Sequence, residues 1–198
     1  MNIDKTQPLE YSTEQGRLNI LGFWIFIGAE VMLFATLFAS YFTLVDRTGN
    51  GPSGSDIFEI TPVLIETLVL LTSSFTIGLG VHAMRIGNKK AMMSFFAITL
   101  VLGAAFLGVE IYEFVHYVHV GAGLQVSAFT SILLTTLGTH GLHVTFGLFW
   151  GIMILMQVKK RGLTPQTANK SFIFSLYWHF LDVVWIFIFS FVYLKGMM

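Results

Sequence analysis

Gly138-Thr-His-Gly-Leu-His-Val-Thr-Phe-Gly147 sits midway along an apolar run from Ala128 to Gln157, about 30 residues and long enough to cross a bilayer as a helix. Its two imidazoles, His140 and His143, would lie at the depth where polar groups are costliest, so they need a partner. Working outward, four more runs of the same kind appear. The five spans are 18–44, 63–84, 91–115, 128–157 and 171–194. Of the 198 residues 55% are hydrophobic and 11% charged, and mean hydropathy is +0.74. The reading is an all-α integral membrane protein, a bundle of five transmembrane helices in one domain over 18–195, with a polar cytoplasmic segment at 1–17.

Basic residues orient the chain. Lys5, Arg17, Arg85, Lys89, Lys90, Lys159, Lys160, Arg161 and Lys170 fall in the N-terminal segment and in the turns after the second and fourth spans, whereas the opposite side has Arg47 and Lys195. This bias predicts a cytoplasmic N-terminus and an external C-terminus. Lys plus Arg equals Asp plus Glu, and the chain has no basic patch, so no nucleic-acid partner is expected. There is no Cys, which excludes thiolate metal sites and thiol nucleophiles and leaves His, Asp and Glu for any chemistry. The apolar run after Arg17 is too long for a signal-peptide core, so the first span is expected to be retained. Thr61-Pro62 reads as an N-cap followed by proline at the first helical position, starting the second span.

Counting about 1.5 Å per residue from each span's centre puts Glu30, His140, His143, His179 and Asp182 near the midplane, with Glu66, Glu110 and Glu113 further out. Ionisable groups at such depth imply mutual pairing inside the bundle. His140 and His143 could begin a metal site with His179 and Asp182, but three-residue spacing is common, and in membrane bundles such side chains are more often interhelical hydrogen-bond partners. Glu113-Phe-Val-His116 matches a di-iron Glu-x-x-His element, but no second copy exists. Glu30, flanked by Ala29 and Val31, has two open readings: a proton-exchanging carboxyl, or a hydrogen-bond partner for a neighbouring helix. Gly147 and Gly151, and likewise Ala104 and Gly108, have the small-residue spacing that admits close helix contact. Trp24, Trp150 and Tyr193 suit interfacial belts. A proton-coupled carrier is disfavoured because no inverted repeat is visible.

At Gly28-Ala-Glu-Val-Met-Leu-Phe34, Gly108-Val-Glu-Ile-Tyr-Glu113, Gly138-Thr-His-Gly-Leu-His-Val144 and Tyr177-Trp-His-Phe-Leu-Asp-Val-Val-Trp185 the chain closely resembles subunit III of the haem-copper respiratory oxidases, in its five-helix form. Gly51-Pro-Ser-Gly-Ser-Asp-Ile-Phe-Glu59 and Arg161-Gly-Leu-Thr164 are most similar to the bo-type and aa-type quinol oxidases; a cytochrome c oxidase is the alternative branch. The resemblance implies a subunit with no redox centre and no bound cofactor of its own, in a bacterial plasma membrane. Its partners would be subunit I, which carries haem and copper, subunit II and a small subunit IV, with lipid in a helix cleft and quinol as substrate of the complex. Glu30 falls on the family's carbodiimide-reactive carboxylate, with Ala29 in place of the usual Ser. The competing class is a self-contained membrane enzyme with metal at the level of His140, His143 and His179.

Overall fold

The computed structural model describes residues 7–49 and 51–197. Within them the chain forms a 3-10 turn at Leu9–Tyr11 and six helices: α1 Glu14–Leu44, α2 Gly54–Ile57, α3 Ile60–Arg85, α4 Lys89–His119, α5 Ala128–Arg161 and α6 Pro165–Ile188, the last continuing into a π turn at Phe189–Leu194. Among the described residues there is no strand. Five of the helices are long and apolar enough to cross a membrane: α1, α3, α4, α5, and α6 with its π turn. They run up and down alternately, and α6 is the most enclosed.

Helix ends follow local capping chemistry, and several differ from the hydropathy boundaries. The side chain of Thr13 accepts from Gly16 N, so α1 starts at Glu14, inside the segment expected to be plain polar chain. Residues 1–6 of that segment, with Lys5, lie outside the described residues. Thr164 accepts from Thr167 N and Pro165 takes the first helical position, so α6 begins six residues before the apolar run. The same Thr-Pro pairing at Thr61-Pro62 does not cap its helix. Glu59 is the N-cap residue there, and Pro62 sits within the first turn, where a missing N–H breaks no helical bond. Helix α4 extends to His119, keeping His116 and His119 on the helix. The short α2, within the Gly- and Ser-rich loop, was not foreseen.

One end of the bundle carries the basic turns. Lys89 Nζ donates to Lys159 O at 3.1 Å, joining the α3–α4 and α5–α6 turns. The N-terminal segment closes over this end. Arg85 Nε donates to Glu10 Oε1 at 2.8 Å, and Asn169 Nδ2 donates to Glu10 O at 3.0 Å and Gly16 O at 2.9 Å. Glu10 is fully buried. At the far end Phe129 N donates to Arg47 O, and Phe58 of the α2 region packs on Tyr193 with ring centroids 5.0 Å apart.

Close helix approach centres on aromatic residues of α6. A Cβ on Gly147 would lie 3.1 Å from both Trp178 and Tyr177, and one on Gly151 would lie 2.5 Å from Leu100 and 2.8 Å from Phe174. Ala104 and Gly108 do not act this way. Both face outward, with open space beside Gly108, and the neighbouring Gly103 receives the Trp178 ring instead. The aromatic belt also needs correction. Trp24 is exposed, but Trp150 packs among Phe23, Phe174 and Tyr177, and Tyr193 is fully buried because its hydroxyl has a partner inside the bundle.

Candidate functional site

The ionisable side chains of the core fall into several pairs, each joining different helices. Helix α5 turns His143 toward α1, where Nε2 meets Glu30 Oε2 at 3.1 Å. The other ring nitrogen, Nδ1, is 2.7 Å from Thr139 O. A carbonyl can only accept, so Nδ1 carries a hydrogen, and one proton must lie between Nε2 and Glu30, on the carboxyl or on the ring. Phe34 packs on the imidazole at 5.3 Å, and Tyr177 Oη donates to His143 O at 2.9 Å. The pair is partly exposed on the α1 side.

His140 lies three residues earlier, about 60° round the helix, and turns instead between α4 and α6. Its ring is fully buried, between Phe106 at 5.7 Å and Trp185 at 5.3 Å. Nε2 lies 3.4 Å from Leu181 O, which assigns the hydrogen there, and Nδ1 faces Glu110 Oε1 at 3.7 Å. Glu110 therefore sits level with His140, although depth counting placed it further out. Its carboxyl rests on the backbone of Gly141, where a Cβ would come within 2.8 Å of Oε2. On α6, His179 Nδ1 is 2.7 Å from Ser74 Oγ and 3.7 Å from Asp182 Oδ2. Near the far end Glu113 Oε2 accepts from Tyr193 Oη at 2.9 Å and Tyr117 Oη at 3.2 Å. Glu66 is fully buried on α3.

These contacts divide the expected midplane group. Glu30 with His143 forms one unit on the α1 side; His140 with Glu110, and His179 with Asp182, belong to the seam between α3, α4, α5 and α6. His140 and His143 diverge, so they do not offer two ligands to one ion, and among the described residues no group of three or more His, Cys, Asp or Glu is placed to hold a metal. Glu113 turns inward to the tyrosines and also lines, with the half-buried His116, a cavity of about 40 Å³.

Several cross-helix bonds have little signal in the sequence. Trp178 Nε1 donates to Ser73 Oγ at 2.9 Å, Trp185 Nε1 donates to Thr67 Oγ1 at 3.0 Å, and Thr76 bonds Thr99 at 2.8 Å. Hydroxyls on apolar helices commonly bond their own backbone, so only the neighbouring helix reveals which of them also serve as cross-links. The Trp residues of Tyr177–Trp185 were the available hint, since a buried indole needs an acceptor.

Some polar atoms in the seam have no hydrogen-bond partner among the described residues: both carboxyl oxygens of Glu66, of Glu110 and of Asp182, and Nδ1 of His140. Such groups cost about 1–3 kcal/mol each when left unsatisfied. Nearby, a groove of about 480 Å³ opens between α4 and α5, lined by Ile111, Phe114, Leu134 and Leu142 with Glu110 in its wall.

Comparison with known proteins places these features in a family. The family model for cytochrome c oxidase subunit III matches residues 11–197. Quinol oxidase subunit 3 of Bacillus spizizenii is 62% identical over 190 residues, 96% of this chain and 93% of the relative. Cytochrome c oxidase subunit 3 of Bacillus sp. PS3 is 48% identical over 96% of this chain and 92% of its own length. Probable quinol oxidase subunit 3 of Staphylococcus aureus is 48% identical over 97% of this chain and 96% of its own length. The matched residues run from the 3-10 turn to beyond the π turn and take in every membrane-length helix, and on that ground the chain belongs to the cytochrome c oxidase subunit III family.

Proposed function

We propose that the chain is the non-redox accessory subunit III of a proton-pumping haem-copper quinol oxidase, the complex that oxidises quinol and reduces oxygen to water in aerobic respiration. The carrying observation is the near-full-length likeness to relatives named quinol oxidase subunit 3, at 62% and 61% identity. The polar pairs of the site join different helices, as clasps that hold a bundle together would. Haem and copper belong on this reading to subunit I, the main neighbour, with subunit II, a small subunit IV and lipid completing the surroundings. The chain forms one domain in the bacterial plasma membrane. Its basic end faces the cytoplasm and its C-terminus the outside, following the charge bias.

Glu30, His140, His143, His179 and Asp182 then act as polar clasps between helices, and Glu30 with His143 is the pair placed to exchange a proton on the α1 side. A cytochrome c oxidase subunit III is the second reading, favoured by the PS3 relative. Affinity purification through a tag on this chain tests both. The expected result is a haem-bearing partner and oxidation of quinol, not of reduced cytochrome c. Reduced cytochrome c as the electron donor would move the chain to the second reading. Stoichiometric iron or copper on the isolated chain would overturn the accessory role altogether.

A further inference from the structure

Beyond the clasps, the seam between α3, α4, α5 and α6 contains an ordered series of ionisable groups. At the far end, the cavity of about 40 Å³ is lined by Glu59, Tyr112, Glu113, His116 and Tyr117, and it has room for a single water. Glu113 is the innermost carboxyl of that cavity and bridges to Tyr193 of the π turn. Glu66, on α3, is fully buried in the same seam with both carboxyl oxygens unpartnered. Glu110 faces His140 at 3.7 Å, His140 reaches α6 at Leu181 O beside Asp182, Asp182 faces His179 at 3.7 Å, and His179 ends the series with its side chain 43% exposed.

Two observations mark this series as more than an acidic cluster. Glu66, Glu110, His140 and Asp182 are each over nine-tenths buried, and each presents unpartnered polar atoms to the same seam. Their separations also have a common character. His140 Nδ1 to Glu110 Oε1 and His179 Nδ1 to Asp182 Oδ2 are both 3.7 Å, beyond direct hydrogen bonding, and a water beside each pair would complete the unpartnered Glu110, His140 and Asp182 atoms, His179 Nδ1 being already paired with Ser74. Glu110 and Gly141 both line the α4–α5 groove, yet both Glu110 carboxyl oxygens are inaccessible from it. Access therefore falls to the Glu113 cavity.

We propose that this seam is a hydrated proton-exchange chain, entered at the Glu113 cavity and running through Glu66, Glu110, His140 and Asp182 to His179. Its ligands are water and protons. In each hop one carboxyl O–H or imidazole N–H bond breaks as its proton passes to the next water, and an incoming proton re-forms a bond behind it, so the net charge of the seam is unchanged. The Glu30–His143 pair lies outside this route. The proposal goes beyond the accessory role and does not depend on which oxidase, if any, the chain serves.

Infrared spectroscopy tests it on the full chain, in whatever assembly it purifies with, transferred from H2O to D2O. Bands of protonated carboxyls are assigned to this chain by difference against Glu66→Gln and Glu110→Gln. The expected result is that these bands shift on deuteration within minutes, faster than the hours that opening of a packed core requires. Glu113→Gln should slow the shift of the remaining bands by about tenfold or more, because it alters the entrance, while Glu30→Gln leaves the rate unchanged. Bands that stay unshifted while solvent-exposed amides exchange would show a dry, sealed seam and overturn the proposal. Fast exchange indifferent to Glu113→Gln would overturn the route. Should the Gln variants fail to accumulate, carboxyl bands of the unaltered protein that do not respond to D2O would overturn it on their own.

Discussion

Replacing Glu30 by Gln keeps a hydrogen-bond donor opposite His143 Nε2, because the amide N–H takes the place of the carboxyl proton or the charged pair. Glu30→Gln should therefore assemble normally and start turnover at the ordinary rate, with any loss confined to proton pumping or to durability over many turnovers. Collapse of initial quinol oxidation in an assembled complex would contradict the accessory reading. Glu30→Leu strands the ring nitrogen and should cost about 1–3 kcal/mol in the thermal stability of the complex. Gly141→Ala sets a methyl against the Glu110 carboxyl, 2.8 Å from Oε2, and should destabilise by about 1–3 kcal/mol, read in the same melting experiment. Glu110→Ala in the same chain should restore part of that loss, since it removes the atoms struck. The spacing of His140 and His143 could be read directly from the sequence, but their partners could not. Three residues fix an angular offset of about 60°, which is enough to hand two side chains to two different helices. The depth of Glu110 differs from the hydropathy expectation for a related reason. Helices α4 and α5 overrun their apolar runs by unequal amounts, so counting from the centres of those runs displaced Glu110 from His140.

Among the elements, α2 is held by one short-range device. Ser53 Oγ and then Ser53 N–H donate to Asp56 Oδ2, at 2.5 and 2.9 Å, and hold the Asp56 carboxyl below its ordinary range. A carboxyl lowered in the folded state contributes fully above the ordinary carboxylate range, and the contribution is lost as pH falls through the lowered value. The protection of the Asp56 and Phe58 amides, whose N–H groups bond Ser53 O and Gly54 O, should fall on acidification below that range when measured against the intrinsic exchange rate at each pH. Asp56→Asn should show the lower protection already at neutral pH. In the longer helices the decisive contacts are glycine against aromatic. Gly151→Val would drive a branched side chain into Leu100 and Phe174, and the expected outcome is loss of the chain from the membrane in an immunoblot rather than a graded decline. The Gly147 and Gly151 spacing was visible in the sequence, whereas Gly103 was not, because a lone glycine on an apolar helix shows nothing of the Trp178 ring that comes to fill the space beside it.

Across the whole molecule, charge segregates by end, and hydropathy alone was enough to find all five membrane-length helices. What hydropathy could not show is how the polar N-terminal segment folds back, since Glu10 is an ordinary exposed residue by composition and acquires its burial only from Arg85 and Asn169. Arg85→Gln leaves that carboxylate uncompensated. Because Arg85 is half exposed, the loss should be about 1–3 kcal/mol rather than the larger cost of breaking a fully buried pair. Limited proteolysis from the basic side should then cut between Leu9 and Thr13, a stretch protected in the unaltered chain.

The same fastening orders events during synthesis. Asn169, which donates to Glu10 O and Gly16 O, lies 159 positions after Glu10 and enters the bundle only with the last helix. Until α6 is inserted, the start of the chain lacks the amide that closes over it, so the N-terminal segment serves as a completion seal. A chain that stops before α6 lacks Asn169 and with it both bonds that fasten Glu10 and Gly16.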